Sequence, residues 1–155
     1  MTPMTGSVTT TMQAAPAAVW ALVTDVTRIG EFSPETLEAR WIEPATGPAL
    51  NARFQGHVKR NGRGPMYWTT CRVVAYEVER EFAFVVEAKG SAGLNTWRYS
   101  LRPTTEGTEV TESFQLSDTA TIKLYWAVFG AMRARTNVRG MRQTLERIKA
   151  AVERG

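Results

Sequence analysis

The last stretch of the chain repeats its hydrophobic positions with the period of an α-helix. Between residues 119 and 153, apolar side chains recur every three or four positions, with one gap around Thr136, at Ile122, Tyr125, Trp126, Phe129, Met132, Met141, Leu145, Ile148 and Val152. At 1.5 Å per residue such a helix is roughly 50 Å long, which exceeds the width of a domain of this size. It must therefore lie along the face of a curved sheet. A sheet curved around a helix leaves a hollow, and the sequence predicts the functional site there.

A two-residue alternation of apolar and polar positions, broken by Gly and Pro turns, precedes this helix. A first strand is predicted over residues 8–13, a helix over 16–24 and a second short helix over 25–32. Six more strands are predicted over residues 36–43, 49–59, 66–79, 81–88, 94–103 and 108–117. Their short connections require antiparallel neighbours. The predicted fold is therefore α+β: a helix-grip fold with two short helices after strand 1, in which a seven-stranded antiparallel sheet wraps round a long C-terminal helix.

Strand parity separates the side chains that face the hollow from those that face solvent. In the last strand, Glu109, Thr111 and Ser113 form a polar set, so Val110, Glu112 and Phe114 face the helix. Residues 66–79 break the alternation, which predicts a β-bulge. Strand parity and helical spacing together predict ten ligand-binding residues: Phe54, Phe82, Phe84, Trp97, Tyr99, Glu112, Phe114, Trp126, Phe129 and Arg133.

Glu112 is the most informative of these candidates. A carboxylate on an apolar strand face costs several kcal/mol unless it is paired, hydrogen-bonded or protonated. The helical spacing offers Arg133 as its partner. Two interpretations stay open: a buried ion pair that ties the helix to the sheet, or a polar anchor or acid–base group with a raised pKa inside the pocket. Periodicity alone also does not distinguish a cavity from a solid core.

Composition limits the chemistry of the predicted site. The chain has 155 residues, 43% of them hydrophobic and 22% charged, as expected for one globular domain. A single cysteine, Cys71, excludes a disulfide within the chain, and we interpret it as a buried apolar residue. The single histidine, His57, falls on the polar side of its strand. One Cys and one His argue against a protein-held metal or haem, so no cofactor is expected.

The formal charge of +4 is concentrated on the final helix, where we interpret the basic residues as a solvated face. No nucleic-acid partner is therefore expected. The sequence contains neither a run of 18 apolar residues nor an apolar core near its N-terminus, so no membrane span or signal peptide is predicted. We expect a cytoplasmic protein without stable membrane insertion, and the sequence leaves a homodimer open.

Several segments resemble a known family. Residues 15–26 read Ala-Pro-Ala-Ala-Val-Trp-Ala-Leu-Val-Thr-Asp-Val, and residues 47–56 read Gly-Pro-Ala-Leu-Asn-Ala-Arg-Phe-Gln-Gly. Residues 70–77, Thr-Cys-Arg-Val-Val-Ala-Tyr-Glu, and 107–114, Gly-Thr-Glu-Val-Thr-Glu-Ser-Phe, continue the similarity. Together they resemble the polyketide cyclase/dehydrase and lipid-transport family of the START-like (SRPBCC, Bet v 1-like) superfamily, over residues 6–153 as a single domain. The resemblance implies the helix-grip fold and a cavity for a hydrophobic ligand, and it carries over no catalytic residue.

Three functions are compatible with these features. The first is a non-catalytic protein that binds or carries a lipid, polyketide or aromatic metabolite, with ligand access near residues 62–65 or 90–93. The second is a cyclase or dehydratase acting on a polyketide-like substrate in the same cavity, with Glu112 or Tyr99 moving a proton. The third is an interaction module that docks through the basic helix face. We expect the first.

Overall fold

The computed structural model describes residues 2–60, 63–87 and 93–155, and it confirms the predicted order of elements. The elements are β1 (Thr5–Met12), α1 (Pro16–Val23), a 3₁₀ helix (Val26–Glu31), β2 (Thr36–Trp41), β3 (Arg53–Lys59), β4 (Met66–Glu77), β5 (Glu81–Glu87), β6 (Asn95–Thr104), β7 (Gly107–Leu116) and α2 (Ala120–Arg154). Residue 88 and parts of both turns predicted to give ligand access lie outside the described residues.

All seven described strands form one antiparallel sheet in the order β1-β7-β6-β5-β4-β3-β2. Because β1 and β2 lie at opposite edges, α1 and the 3₁₀ helix carry the chain from one edge of the sheet to the other. The predicted bulge is present as a shift of register in β4 between Val73 and Ala75. It explains why the alternation of this segment breaks while Val73 and Tyr76 both face inward.

The inner face of the sheet packs against both helices. Val19, Trp20 and Val23 of α1 are buried, and the Trp20 ring meets Phe82 edge-on at 6.3 Å between centroids. The longer helix, α2, is capped by the preceding residue, Thr119, whose hydroxyl oxygen accepts a hydrogen bond from the Ile122 N–H. It lies closest to β1 and β7. Among the described residues, no helix combines the length and the apolar run needed to cross a bilayer.

Burial of the inner face is uneven along the strands. At the end of the sheet near α1, Phe82, Leu101 and Val110 are buried. At the opposite end, where β7 leads into α2, Phe114 is buried but several other inward-facing residues remain half-buried or exposed; they include Val58, Tyr67, Val86, Trp97 and Leu116. Because α2 lies over the β1 and β7 side, it leaves this end of β3 and β4 less covered.

Candidate functional site

An open groove of about 820 Å³ runs beside α2 at the less covered end of the sheet. One wall is a face of α2, and the other consists of Pro34 and Glu35 before β2 together with Arg60, Arg63 and Gly64 after β3. A second concavity, of about 520 Å³, lies in the β2–β3 connection over residues 42–53 and contains none of the predicted ligand-binding residues. The groove is therefore the larger of these two candidate sites.

The α2 wall follows a single helical face. Its residues are spaced by three or four, which places them one above another: Tyr125, Phe129, Met132, Thr136, Gly140 and Gln143. The rings of Tyr125 and Phe129 lie 5.4 Å apart, and 47% of the Phe129 surface is exposed. This end of the groove thus offers solvent-accessible aromatic surface to a ligand.

The opposite wall supplies charge and an ion pair that crosses the groove. The Arg133 guanidinium donates hydrogen bonds to both carboxylate oxygens of Glu35, at 3.0 and 3.2 Å. Both side chains are mostly buried, with exposures of 14% and 18%. The prediction that Arg133 pairs with Glu112 is therefore wrong. On α2, Arg133 follows Phe129 by one turn and shares its side of the helix, facing β2 and not β7.

Glu112 instead pairs with Tyr99 inside the domain. The two residues lie directly opposite each other in the β6–β7 ladder, and the Tyr99 hydroxyl donates to Glu112 Oε1 at 3.1 Å. The second carboxylate oxygen, Oε2, is buried and has no hydrogen-bond partner. The predicted inward position of Glu112 is confirmed, since only 5% of its surface is exposed.

Burial changes the acidity of both members of this pair. It raises the pKa of Glu112 to about 8, although the hydrogen bond from Tyr99 opposes the rise. The pKa of Tyr99 is raised well above its usual value, first by burial and then by the neighbouring Glu112 charge. At neutral pH the pair is therefore predominantly a neutral carboxyl group beside a neutral phenol.

The ten predicted ligand-binding residues fall into three groups, one in the groove and two in the interior. Phe129 and Arg133 line the groove. Trp97, Phe114 and Trp126 do not line it and form an aromatic run in the interior, with centroid distances of 5.9 and 6.1 Å. The remaining members lie deeper, in the packed core or beside it: Phe54, Phe82, Phe84, Tyr99 and Glu112. That these eight interior residues contact a ligand stays a prediction.

Eleven of the thirteen described residues that line the groove were not among the predicted ligand-binding residues. Tyr125 and Met132 belong to the same apolar repeat as Phe129, so the spacing alone could have found them. Arg139 continues this α2 wall and was interpreted as part of a solvated face. Arg60 and Arg63 follow β3, where no periodic pattern relates them to α2.

The architecture is a helix-grip α+β fold, and comparison with family models assigns the chain to a family with this fold. Residues 4–153 match the model described as polyketide cyclase/dehydrase and lipid transport. Because the match spans nearly the whole chain, the protein belongs to this family, in agreement with the resemblance noted from the sequence. A comparison with proteins of curated function found no match.

Solved structures share the fold at low sequence identity. A polyketide cyclase-like protein from Corynebacterium glutamicum is 27% identical with a TM-score of 0.56, over 97% of this chain and 90% of that one. A protein from Nitrosomonas europaea is 12% identical with a TM-score of 0.69, over 97% and 95%. The di-domain ARO/CYC StfQ of the steffimycin biosynthetic pathway is 13% identical with a TM-score of 0.70, over 97% of this chain and 51% of StfQ.

Proposed function

We propose that this protein binds or carries a hydrophobic small molecule between α2 and the sheet, and that the ligand enters through the groove beside α2. The observation that carries the proposal is the groove itself, an open volume of about 820 Å³ with exposed aromatic surface on one wall. Ligand pockets commonly measure roughly 300 to 1,000 Å³ and combine apolar walls with a few polar groups. The family description, which includes lipid transport, agrees with this role.

Burial of apolar ligand surface would supply the binding energy. Phe129 is the central contact in this proposal. Its ring is half exposed at the groove, so a ligand can cover it, and the ring is carried on the backbone of a long helix. The half-buried inner residues Val58 and Trp97 offer further apolar surface at the same end of the sheet. Glu112 and Tyr99 would present polar groups to a ligand that penetrated to them.

A neutral fluorescent dye tests the proposal without relying on charge. Nile red should bind saturably, with one site per chain and a blue-shifted emission. Phe129→Ser should weaken this binding on the order of tenfold, because it removes an exposed aromatic contact without opening the core. Val128→Ser is the matched control, since Val128 is the preceding residue, is 67% exposed and lies outside the groove.

Two results would contradict the proposal. Absence of saturable Nile red binding would remove the groove as an apolar ligand site. Equal losses in Phe129→Ser and Val128→Ser would show instead that the dye binds the outer surface of α2. Circular dichroism of both variants checks that the helix is retained.

The second candidate is a cyclase- or dehydratase-like enzyme acting in the same cavity. The observation in its favour is Glu112, whose pKa of about 8 and hydrogen bond to Tyr99 suit a group that gives and takes a proton near neutrality. The likeness to StfQ, an ARO/CYC, is compatible with this role. Dehydration of a β-hydroxyketone chain, followed by mass spectrometry, tests it. An enzyme should lose turnover in Glu112→Gln and keep its Nile red affinity, whereas absence of turnover in the unsubstituted protein favours the binding role.

A further inference from the structure

The charge lining the groove is unbalanced. Four arginines contribute to its walls, Arg60, Arg63, Arg133 and Arg139, and Glu35 is the one carboxylate among the described lining residues. Glu35 is already engaged by Arg133 through two hydrogen bonds. Among the residues that the structure describes, no carboxylate lies within ion-pair distance of Arg60, Arg63 or Arg139. The groove therefore carries an excess of positive charge beside its apolar surface.

The arginines and the aromatic residues occupy the same concave surface. The Arg60 guanidinium lies over the Tyr125 ring, 5.8 Å from its centroid, which holds this charge against the aromatic wall. Arg139 lies ten residues beyond Phe129 on α2, or about 15 Å along the helix axis. A molecule that covers the rings of Tyr125 and Phe129 and extends along the groove would thus meet guanidinium groups along its length.

We infer that the ligand of this groove is an amphipathic anion, in which an apolar body lies on Tyr125, Phe129 and Met132 and an acidic head group is bound by Arg60, Arg63 and Arg139. The inference rests on the proposed binding function and specifies the class of its ligand. Guanidinium groups present paired N–H donors that match the oxygens of a carboxylate or a phosphate. A neutral ligand of the same shape would use the apolar wall and leave the arginines with water.

A pair of ligands with the same alkyl chain separates charge from hydrophobicity. Dodecanoate and dodecanol are each used to displace Nile red, below the concentration at which dodecanoate forms micelles. Dodecanoate should bind on the order of tenfold more tightly than dodecanol, and salt should reduce this preference. Equal affinity, or a preference for the alcohol, would overturn the inference while saturable Nile red binding kept the proposed function intact. If neither Nile red nor the two alkyl-chain ligands bound, both the proposed function and this inference would be overturned.

Substitutions locate the recognition of the acid. Arg139→Gln and Arg63→Gln should each reduce the preference for dodecanoate severalfold, where the preference is the ratio of dodecanoate to dodecanol affinity measured in the same variant. Arg135→Gln is the matched control, because Arg135 is an exposed arginine of α2 outside the groove. A preference for dodecanoate that persists in both groove variants would overturn the assignment of the head group to these arginines.

The acidic head could belong to a free acid or to a phospholipid, and vesicles distinguish these sources. Sedimentation with vesicles of phosphatidylcholine, with and without phosphatidylglycerol, measures binding to an acidic phospholipid. Binding to the anionic vesicles that accompanies the preference for dodecanoate and is lost in Arg63→Gln and Arg139→Gln assigns the acidic head to a lipid. Binding of dodecanoate without binding to vesicles assigns it to a free acid. No binding of either anion overturns the inference.

Discussion

The Tyr99 hydroxyl donates its hydrogen bond to Glu112 across the β6–β7 ladder, and it satisfies one oxygen of a carboxyl group whose other oxygen has no partner. Burial dominates the electrostatics of this pair and raises the pKa of Glu112 to about 8, from an ordinary value of 4.5. The folded protein therefore holds the Glu112 proton more tightly than the unfolded chain does. Such a difference in proton binding makes stability depend on pH.

The first prediction follows from the sign of that difference. Below pH 4.5 both states carry the proton, and the stability associated with protonated Glu112 is fully present. As pH rises, the unfolded state loses its proton first, so the free energy of unfolding falls and the contribution is lost once pH passes the folded pKa of about 8. The total change is on the order of a few kcal/mol, at about 1.4 kcal/mol per unit of pKa shift.

Glu112→Gln isolates this contribution, because glutamine keeps the shape of the side chain and does not ionise. We expect its free energy of unfolding to equal that of the unsubstituted protein near pH 4.5 and to exceed it at pH 8.5. Urea denaturation followed by tryptophan fluorescence across this range measures both. Tyr99→Phe is the control. Its free energy of unfolding should still fall as pH rises, since the lost hydrogen bond is one that lowers the Glu112 pKa. Parallel curves for Glu112→Gln and the unsubstituted protein would contradict the assignment.

The position of Glu112 could be predicted, whereas its partner could not, and the difference has a physical cause. A strand has a side-chain period of two, so the polar set Glu109, Thr111 and Ser113 determines that Glu112 faces inward. A helix has no such binary choice. The neighbour that Arg133 contacts depends on the rotation and lateral position of α2. Tertiary packing sets this position, and it places α2 towards β1 and β7.

Local sequence patterns predict the fold of this chain better than they predict its groove. Alternation and helical periodicity predicted seven strands and α2, and broken alternation predicted the bulge at Val73–Ala75. The groove combines one helix face with residues such as Pro34, Glu35 and Arg60, which lie in connections without a repeating pattern. Their proximity to α2 depends on long-range packing, which local patterns do not encode.

The second prediction concerns the ion pair across the groove. Glu35→Gln should lower the free energy of unfolding by about 2 kcal/mol, because it removes the carboxylate from a mostly buried guanidinium. Glu38→Gln is the control: Glu38 lies on β2 nearby, with a side chain 64% exposed, and should change stability by less than about 0.5 kcal/mol. Urea denaturation near pH 7 compares them, and indistinguishable midpoints would show that the Glu35–Arg133 pair contributes no net stability.

The third prediction concerns Cys71, which is buried on β4, the strand between β3 and β5 in the sheet. Burial raises the pKa of its thiol to about 12, so the reactive thiolate is scarce at pH 8. We expect an aromatic disulfide reagent to modify Cys71 completely in concentrated guanidinium chloride and negligibly in native buffer. The rate of any modification in native buffer should be limited by the rate at which the structure opens. Rapid, complete modification of the folded protein would contradict the buried, protonated state of this thiol.

The fourth prediction compares two glycines of α2. A Cβ atom at Gly130 would lie 2.8 Å from Cγ and Cδ1 of Trp126, closer than two carbons can approach. The indole cannot move aside without loss, since its N–H donates to the carbonyls of Thr2 and Pro3 and its ring packs on Phe114. At Gly140 the nearest atom to a new Cβ would be Pro34 Cγ, at an ordinary 3.6 Å.

The two alanine substitutions should therefore change stability in opposite directions. Alanine in a helix interior is favoured over glycine by up to about 1 kcal/mol, and Gly140→Ala should retain most of that gain. Gly130→Ala should lose about 1 to 3 kcal/mol, because displacement of Trp126 outweighs the gain in helix propensity. Urea denaturation measures both changes, and the tryptophan emission of Gly130→Ala should shift to the red as the indole meets water. If both variants were stabilised equally, Trp126 would not be held against Gly130, and α2 would have to meet the N-terminal segment differently.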